Sequence, residues 1–307
     1  MGWRRVRIPS RRSRRSPLAA ALTLGTIVAG SGTITALQSP VIPAAASGTV
    51  SSCSGPDGLG YWQVASDGGV FSYGTAKFYG SMGGQRLNQP VVGMAPSVDG
   101  RGYWLVAADG GVFSFGDAPF EGSAASLHLN APVVGMVPTV NGQGYWLVAG
   151  DGGVFAYGNA AFDGSTGGIR LNSPVVGIAA TKDGRGYWMA ASDGGVFTFG
   201  DAFYRGSVAS IRLNSPVVGI AATRNANGYE LTAGDGGVFG FGDATFYGSM
   251  GGQHLNRPVV GVAGTFFGNG YTLSAADGGV FAFGDSAFCG SAGALKLNRP
   301  VVGTAFF

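Results

Sequence analysis

Residues 102–135 read GYWLVAADGGVFSFGDAPFEGSAASLHLNAPVVG, and this pattern decides the fold because it returns every 42 residues. A tyrosine marks each of six copies, and no insertion or deletion separates one copy from the next. These tyrosines are Tyr61, Tyr103, Tyr145, Tyr187, Tyr229 and Tyr271. A fixed period of this length is typical of repeated supersecondary units that share a core, as in propellers and solenoids.

Each unit predicts short β-strands joined by tight turns. In the second unit, residues 103–107 and 112–115 are β-rich runs, and an Asp-Gly pair that begins at Asp109 lies between them. Asp-Gly is a strong hairpin signal because tight turns need positive φ. Residues 120–122 are expected to form an outer strand, and a further strand starts at Pro132, where a missing N–H is tolerated. We therefore predict an all-β fold of four-stranded units that begin near residues 60, 102, 144, 186, 228 and 270.

The two ends of the repeat array predict that the six units close into a ring. The array starts at the Tyr61 hairpin and ends with an extra strand, Pro300–Gly303, that has no hairpin after it. We expect this C-terminal strand to complete the first unit, because closing a ring removes exposed sheet edges. Residues 47–307 are thus predicted to form a six-bladed β-propeller. An open solenoid and two β-trefoils of three units each are the alternatives.

The last glycine of the PVVG sequence recurs in all six units. If this strand is the innermost one, we expect these glycines where six strands crowd together and leave no space for a side chain. They are Gly93, Gly135, Gly177, Gly219, Gly261 and Gly303.

The nine residues from Asp109 to Asp117, DGGVFSFGD, resemble a tandem repeat of exported proteins from high-G+C Gram-positive bacteria. The likeness covers about residues 53–307. It implies a β-propeller module outside the cell, of a kind sometimes appended to cell-wall or hydrolytic domains. The likeness is to the repeat module alone, so it implies a fold and a location and carries over no enzymatic activity.

Residues 1–46 differ from the repeats and predict an export signal peptide. Seven arginines precede an uncharged stretch from Leu18 to Leu37, and an A-x-A type cleavage signal ends before Ser47. An uncleaved membrane anchor is the alternative, because about 20 apolar residues can span a bilayer. The general secretory and twin-arginine routes both stay open. We expect a secreted or surface-associated protein that meets a membrane only through this signal.

Charge excludes nucleic acid as an expected partner. Seven of the 19 Lys and Arg and none of the 16 Asp and Glu lie in residues 1–46. The remainder has 12 basic and 16 acidic residues, so its net charge is −4 where the whole sequence has +3. A net negative charge offers no support for nucleic-acid binding, which depends on a strongly basic surface.

Cys53 and Cys289 are the two cysteines, one before the first unit and one inside the last. In an exported protein such a pair predicts a disulfide, because two thiols without nearby histidines cannot complete a metal shell. This bond would tie the first unit to the last. We predict no metal and no cofactor.

A basic or protonatable residue precedes Leu-Asn in every unit. Six such groups on one face could bind a polyanion or an acidic glycan through many weak contacts. Alternatively, each side chain covers apolar surface or pairs with the aspartate of a nearby turn. The six residues are Arg86, His128, Arg170, Arg212, His254 and Lys296.

Tryptophan follows the tyrosine in the first four units, whereas Glu230 and Thr272 take this place in the last two. A fully buried position would not readily accept glutamate, so we expect part of this position to be exposed. Exposed aromatic faces beside polar groups are suited to stacking on sugars. Partial burial between units is the alternative. The candidates for sugar binding are Trp62, Trp104, Trp146 and Trp188.

Together these patterns predict a monomeric, non-catalytic binding or scaffold module that recognises a glycan or a surface protein. Equal unit lengths leave no inserted loop in which to build a catalytic centre. The alternatives are a glycoside hydrolase or lyase, with Glu230, Asp235 and His254 as its candidate residues, and a purely structural spacer of the cell envelope.

Overall fold

The computed structural model describes Cys53 and residues 60–307, and all its regular structure in these residues is β. The export peptide predicted for residues 1–46 lies outside the described residues. The strands are β1 (Tyr61–Ala65), β2 (Val70–Tyr73), β3 (Val91–Pro96), β4 (Gly102–Ala107), β5 (Val112–Gly116), β6 (Val133–Pro138), β7 (Gly144–Ala149), β8 (Val154–Gly158), β9 (Val175–Ala180), β10 (Gly186–Ala191), β11 (Val196–Gly200), β12 (Val217–Ala222), β13 (Tyr229–Ala233), β14 (Val238–Phe241), β15 (Val259–Gly264), β16 (Gly270–Ala275), β17 (Val280–Gly284) and β18 (Val301–Phe306).

The strands form six antiparallel sheets of three strands each within the described residues. In each sheet the PVVG strand pairs with the strand that carries the marker tyrosine, and this strand pairs with the DGGVF strand. The sheets are β18-β1-β2, β3-β4-β5, β6-β7-β8, β9-β10-β11, β12-β13-β14 and β15-β16-β17. The all-β prediction is confirmed. The predicted fourth strand is wrong, because residues 120–122 and their equivalents adopt no regular structure.

The first sheet takes one strand from the far end of the sequence. Strand β18 pairs antiparallel with β1, and Tyr61 lies opposite Phe306. The equivalent pair in the second sheet is Tyr103 and Pro96. The C-terminal strand therefore completes the first unit in the same register that the other units use, as the sequence predicted.

The six PVVG strands contact one another in succession: β18 with β3, β3 with β6, β6 with β9, β9 with β12, β12 with β15, and β15 with β18. Between them lies a cavity of about 120 Å³, which the six PVVG glycines line. A Cβ atom added at Gly303 would lie 3.8 Å from the Cα of Gly93, an ordinary contact, and one at Gly261 would meet nothing within 4 Å. An added Cβ at Gly177 would lie 3.3 Å from Ile220, a tight contact, so a single methyl group is accommodated at five of the six glycines and the predicted crowding occurs only at Gly177.

Aromatic rings fill the space between neighbouring sheets. The Trp104 ring lies 5.8 Å from the ring of Tyr145 in the next sheet, and both are buried. Gly122, at φ +138°, lies so close to this layer that an added Cβ would be 2.5 Å from Tyr157. Only glycine tolerates both the backbone conformation and the contact, so the glycine of the F-x-G-S sequence is a packing requirement.

Side chains hold the outer segment that replaces the predicted fourth strand. The Trp104 Nε1 donates to the carbonyl oxygen of Pro119 at 2.7 Å. The Tyr145 hydroxyl accepts from the N–H of Glu121 at 3.2 Å and donates to the oxygen of Gly122 at 2.5 Å. The backbone groups of this segment are thus satisfied by side chains, where a regular strand would use a ladder of backbone hydrogen bonds.

The first and last units are joined by a disulfide and by hydrogen bonds. Cys53 and Cys289 form the predicted disulfide, with their Cα atoms 5.0 Å apart. The buried Gln63 side chain donates to the oxygen of Gly278 and accepts from the N–H of Ala292, both at 3.2 Å. In the second unit the equivalent backbone groups bond each other directly. A glutamine therefore bridges the two groups only where the last unit meets the first.

Candidate functional site

Each sheet has two ends with different chemistry. The turn end carries the Asp-Gly turn, and the loop before each PVVG strand bonds to it; the N–H of Ala124, for example, donates to the oxygen of Gly110. The loop end carries the connection from the PVVG strand to the next strand, such as residues 97–101. The basic residues that precede Leu-Asn thus lie at the turn end; Arg170, for example, lines a groove with Asp151.

The aspartates of the turn end serve their own turns. The Asp109 carboxylate accepts from the N–H of Gly111 at 3.0 Å, and Gly110 has φ +80°. The same hydrogen bond occurs in all six turns, at 2.9–3.1 Å. This is the turn chemistry typical of Asp-Gly.

The six basic residues before Leu-Asn are all exposed. The ion pairs among the described residues are Arg101–Asp99 and Arg185–Asp183, both at the loop end. The suggested pairing of the basic residues with the turn aspartates is therefore not observed. An exposed aliphatic side chain precedes four of the six, so the turn end offers cations beside apolar surface; these aliphatic residues are Leu127, Ile169, Ile211 and Leu295.

The tryptophans do not lie where sugar stacking requires. Trp62, Trp104, Trp146 and Trp188 are at most 1% exposed, and each packs on a tyrosine of the next sheet. The expectation that this position is partly exposed is wrong. Glu230 is itself only 8% exposed, so a glutamate does occupy a buried position here.

The structure reveals a set of exposed aromatic side chains that sequence reasoning placed in a strand. They are 44–61% exposed and lie in the outer segment of each unit. In the second unit the residue before Phe120 is held by Trp104 and the residue after it by Tyr145, so Phe120 projects outward. An aromatic residue recurring at the 42-residue period was the available signal. These rim aromatics are Phe78, Phe120, Phe162, Tyr204, Phe246 and Phe288.

The three residues considered for hydrolysis do not come together. Glu230 lies at the beginning of β13 and Asp235 just beyond its end, which separates them by about 15 Å along an extended strand. The segment that leads to His254 bonds to the turn at Gly236, at the end far from Glu230.

Glu230 instead lines a cavity of about 500 Å³ at the loop end, with Asp243, Lys182 and Arg224 among the other lining residues. Burial raises the pKa of Glu230 to about 7; its own backbone N–H lowers it, and the Asp243 carboxylate raises it further. Asp243 is held by the Thr223 hydroxyl at 2.9 Å and by the side-chain amide of Asn225. The sequence had indicated Glu230 because it interrupts the repeat pattern. The sequence did not indicate Asp243, Lys182 and Arg224, which line the same cavity.

No protein-family model matches this sequence, and no curated protein matches it. Among the described residues, no group of three or more His, Cys, Asp or Glu is placed to hold a metal ion. The same part of the chain contains no helix long and apolar enough to cross a membrane.

Proposed function

We propose that residues 47–307 form a closed six-bladed β-propeller in which each three-stranded sheet is one blade. The pairing of β18 with β1 supports closure, as does the unbroken succession of contacts among the six PVVG strands. The Gln63 bridge and the Cys53–Cys289 disulfide support it further, since both join the first unit to the last. A closed ring gathers the six turn ends on one face and the six loop ends on the other.

We further propose that this propeller is a non-catalytic, exported binding module that recognises a glycan at the cell surface. A disulfide is consistent with an oxidising compartment outside the cytoplasm. The arginine-rich start of the sequence, followed by an uncharged stretch, supports export. A surface protein is the second class of partner that such a module serves.

The six exposed rim aromatics are the main support for glycan binding. Each presents a ring to solvent, and a planar apolar face beside polar groups is suited to stacking on a sugar. One stacked sugar binds weakly, but six equivalent contacts on one rigid body raise the overall affinity when a long polysaccharide engages several of them. The basic residues of the turn face would favour an acidic polysaccharide over a neutral one.

Removing three rim aromatics tests their role in glycan binding. We expect the triple variant Phe78→Ser, Phe162→Ser and Phe246→Ser to lose at least tenfold in retention on insoluble cell-wall polysaccharide, measured by pull-down and by affinity electrophoresis. Its melting temperature should change little, because these rings are exposed.

The matched control is Val98→Ser with Val140→Ser, two exposed apolar side chains of the loop ends. If the rim variant is retained on the polysaccharide as well as the wild type is, the rim aromatics do not bind the glycan. Release of new reducing ends from the bound polysaccharide would contradict a non-catalytic module and favour the hydrolase or lyase alternative. If the protein neither binds nor cleaves any glycan tested, the structural-spacer alternative is favoured.

Charge at the turn face is tested separately. We expect the combined change of Arg86, Arg170 and Arg212 to glutamine to weaken binding of acidic polysaccharide severalfold at low salt and to leave neutral polysaccharide unaffected. The control compares a double change of Arg86 and Arg170 to glutamine with a double change of Arg101 and Arg185, which lie at the loop end and do not line the cavity there. Equal effects of the two double variants would mean that overall charge, and not the turn face, governs binding.

A further inference from the structure

The position that follows the marker tyrosine provides an internal comparison across the six units. In four units this position holds a buried tryptophan, which packs against the next sheet. In the sixth, Thr272 fills it and shares a hydrogen bond with the Ser286 hydroxyl at 2.5 Å. In the fifth, Glu230 lies opposite Gly240 on the neighbouring strand, and a cavity of about 500 Å³ occurs beside it. The fifth unit thus has a buried carboxyl group beside a cavity at the position where four units have a tryptophan.

The groups that line this cavity carry both signs of charge. Glu230 and Asp243 provide carboxyl groups, whereas Lys182 and Arg224 provide cations from two loops of the loop end. Arg224 is held over the rings of Phe266 and Phe267, with its guanidinium carbon 5.2 and 5.7 Å from their centroids.

Asp243 is held as well, by Thr223 and Asn225. Charged groups fixed before a ligand arrives lose little conformational entropy on binding.

Glu230 is buried without a cationic partner. It is 8% exposed, and its own backbone N–H is the hydrogen-bond donor that acts on its carboxyl group. No side chain in the described part of the chain hydrogen-bonds to it, and Asp243 adds a second negative charge nearby. An isolated buried carboxylate is costly, and a cation placed between two carboxylates removes that cost. The site therefore favours a ligand that brings a positive charge.

We propose that this cavity binds a small polar ligand whose ammonium group lies between Glu230 and Asp243 and whose hydroxyl or carboxylate groups face Lys182 and Arg224. Its volume falls in the range of small-molecule sites. Amino sugars and free amino acids share this chemistry. The proposal is independent of polysaccharide binding at the rim, because none of the rim aromatics lines the cavity.

Calorimetric titration of the full chain tests the proposal with four probes. D-glucosamine and L-alanine carry an ammonium group and represent the two sources, whereas D-glucose and N-acetyl-D-glucosamine lack it. We expect binding of at least one amine and at least tenfold weaker binding of both neutral sugars. No binding of either amine at millimolar concentration would overturn the proposal, and so would equally tight binding of glucose.

Two variants of one residue locate the binding site. Glu230→Gln keeps the shape and removes the charge, so amine affinity should fall at least tenfold. Glu230→Trp restores the residue of the first four units, and it should abolish amine binding while the melting temperature stays the same or rises. Retention of amine binding in Glu230→Trp would refute this site. The rim variant should bind the amine as the wild type does, so the two proposals can fail separately.

The pH dependence gives a further readout. A proton and the ligand ammonium compete for Glu230, so amine affinity should fall by up to tenfold per pH unit below pH 7. The other charged and titratable groups that face Glu230 are Asp243, Lys182, Arg224 and two tyrosines, Tyr247 and Tyr271. Burial raises the pKa of Tyr271, which keeps it protonated in this range. An affinity that is constant from pH 5 to 8 would contradict the role of Glu230.

Discussion

At the scale of single residues, Glu230 departs from the pattern that the other units follow. Its carboxyl group occupies a position where four units bury an indole, and no cation neutralises it. Burial penalises the charged form, so the folded state holds its proton more tightly than the unfolded chain does. This residue therefore makes the stability of the protein depend on pH up to about pH 7.

The sign of this dependence follows from the raised pKa. Glu230 contributes stability below its unfolded pKa of 4.5, and this contribution is lost as the pH rises through about 7. We expect the unfolding free energy of the wild type, relative to Glu230→Gln, to fall by about 3 kcal/mol between pH 4.5 and pH 8. Urea denaturation of both proteins across this range measures the difference. Glu121→Gln is the control, and it should follow the wild type.

At the scale of the element, the outer segment shows how side chains replace a strand. Trp104 bonds to Pro119, Tyr145 bonds to Glu121 and Gly122, and Tyr145 belongs to the following unit. The outer edge of each unit is therefore held in part by the next unit. The exposed direction of the rim aromatics in the first four units depends on this arrangement, because a tryptophan bonds to the residue before each of them.

Removing one such hydroxyl tests this dependence. We expect Tyr145→Phe to lower the unfolding free energy by about 1–3 kcal/mol, because it leaves the N–H of Glu121 and the oxygen of Gly122 without a partner. Amide hydrogen exchange at Glu121 should accelerate. Tyr204→Phe is the control, since the Tyr204 ring is exposed. A loss of equal size in both variants would contradict a specific role of the Tyr145 hydroxyl.

At the scale of the whole molecule, the contacts between first and last units differ from all others. Leucine or methionine occupies the position of Gln63 in the remaining units, where two backbone groups need no bridge. Ser274 and Thr304 also share a hydrogen bond across this junction. These polar pairs occur at the junction between the first and last units. Because their geometry is specific, they would favour contact between these two units over contact between other pairs of units.

The disulfide adds a covalent link to the same junction. The two cysteines are separated by 236 residues in the sequence. If the bond acts by restricting the unfolded chain, its removal lowers the free energy of unfolding by at most about 5 kcal/mol. We expect the double change Cys53→Ser and Cys289→Ser to lower the midpoint of guanidinium unfolding and yet to leave a folded protein, because β18 still pairs with β1.

Wild-type protein treated with a reductant is the matched comparison and should show the same midpoint as the double variant. A reductant that leaves the wild-type midpoint unchanged would show that the bond contributes no stability.

Several features could be predicted from the sequence because they depend on neighbours in the chain. The 42-residue period defines the units, the Asp-Gly turn needs only two residues, and alternating β-rich runs identify two strands of each sheet. The fourth strand was predicted wrongly because its backbone groups bond to side chains, a tryptophan of the same unit and a tyrosine of the next one. The exposure of the tryptophans was predicted wrongly for the same reason, since a tyrosine 41 residues farther along covers each ring.

The sequence by itself determined the number of units, three strands of each unit and its hairpin turn, the two cysteines that pair and the two units in which the tryptophan is replaced. Only the tertiary structure decided which aromatic rings face solvent and which lie between sheets, and that the break at Glu230 opens a cavity shared with Asp243. Repetition and turn chemistry are local, whereas burial depends on which surfaces meet when consecutive units pack together.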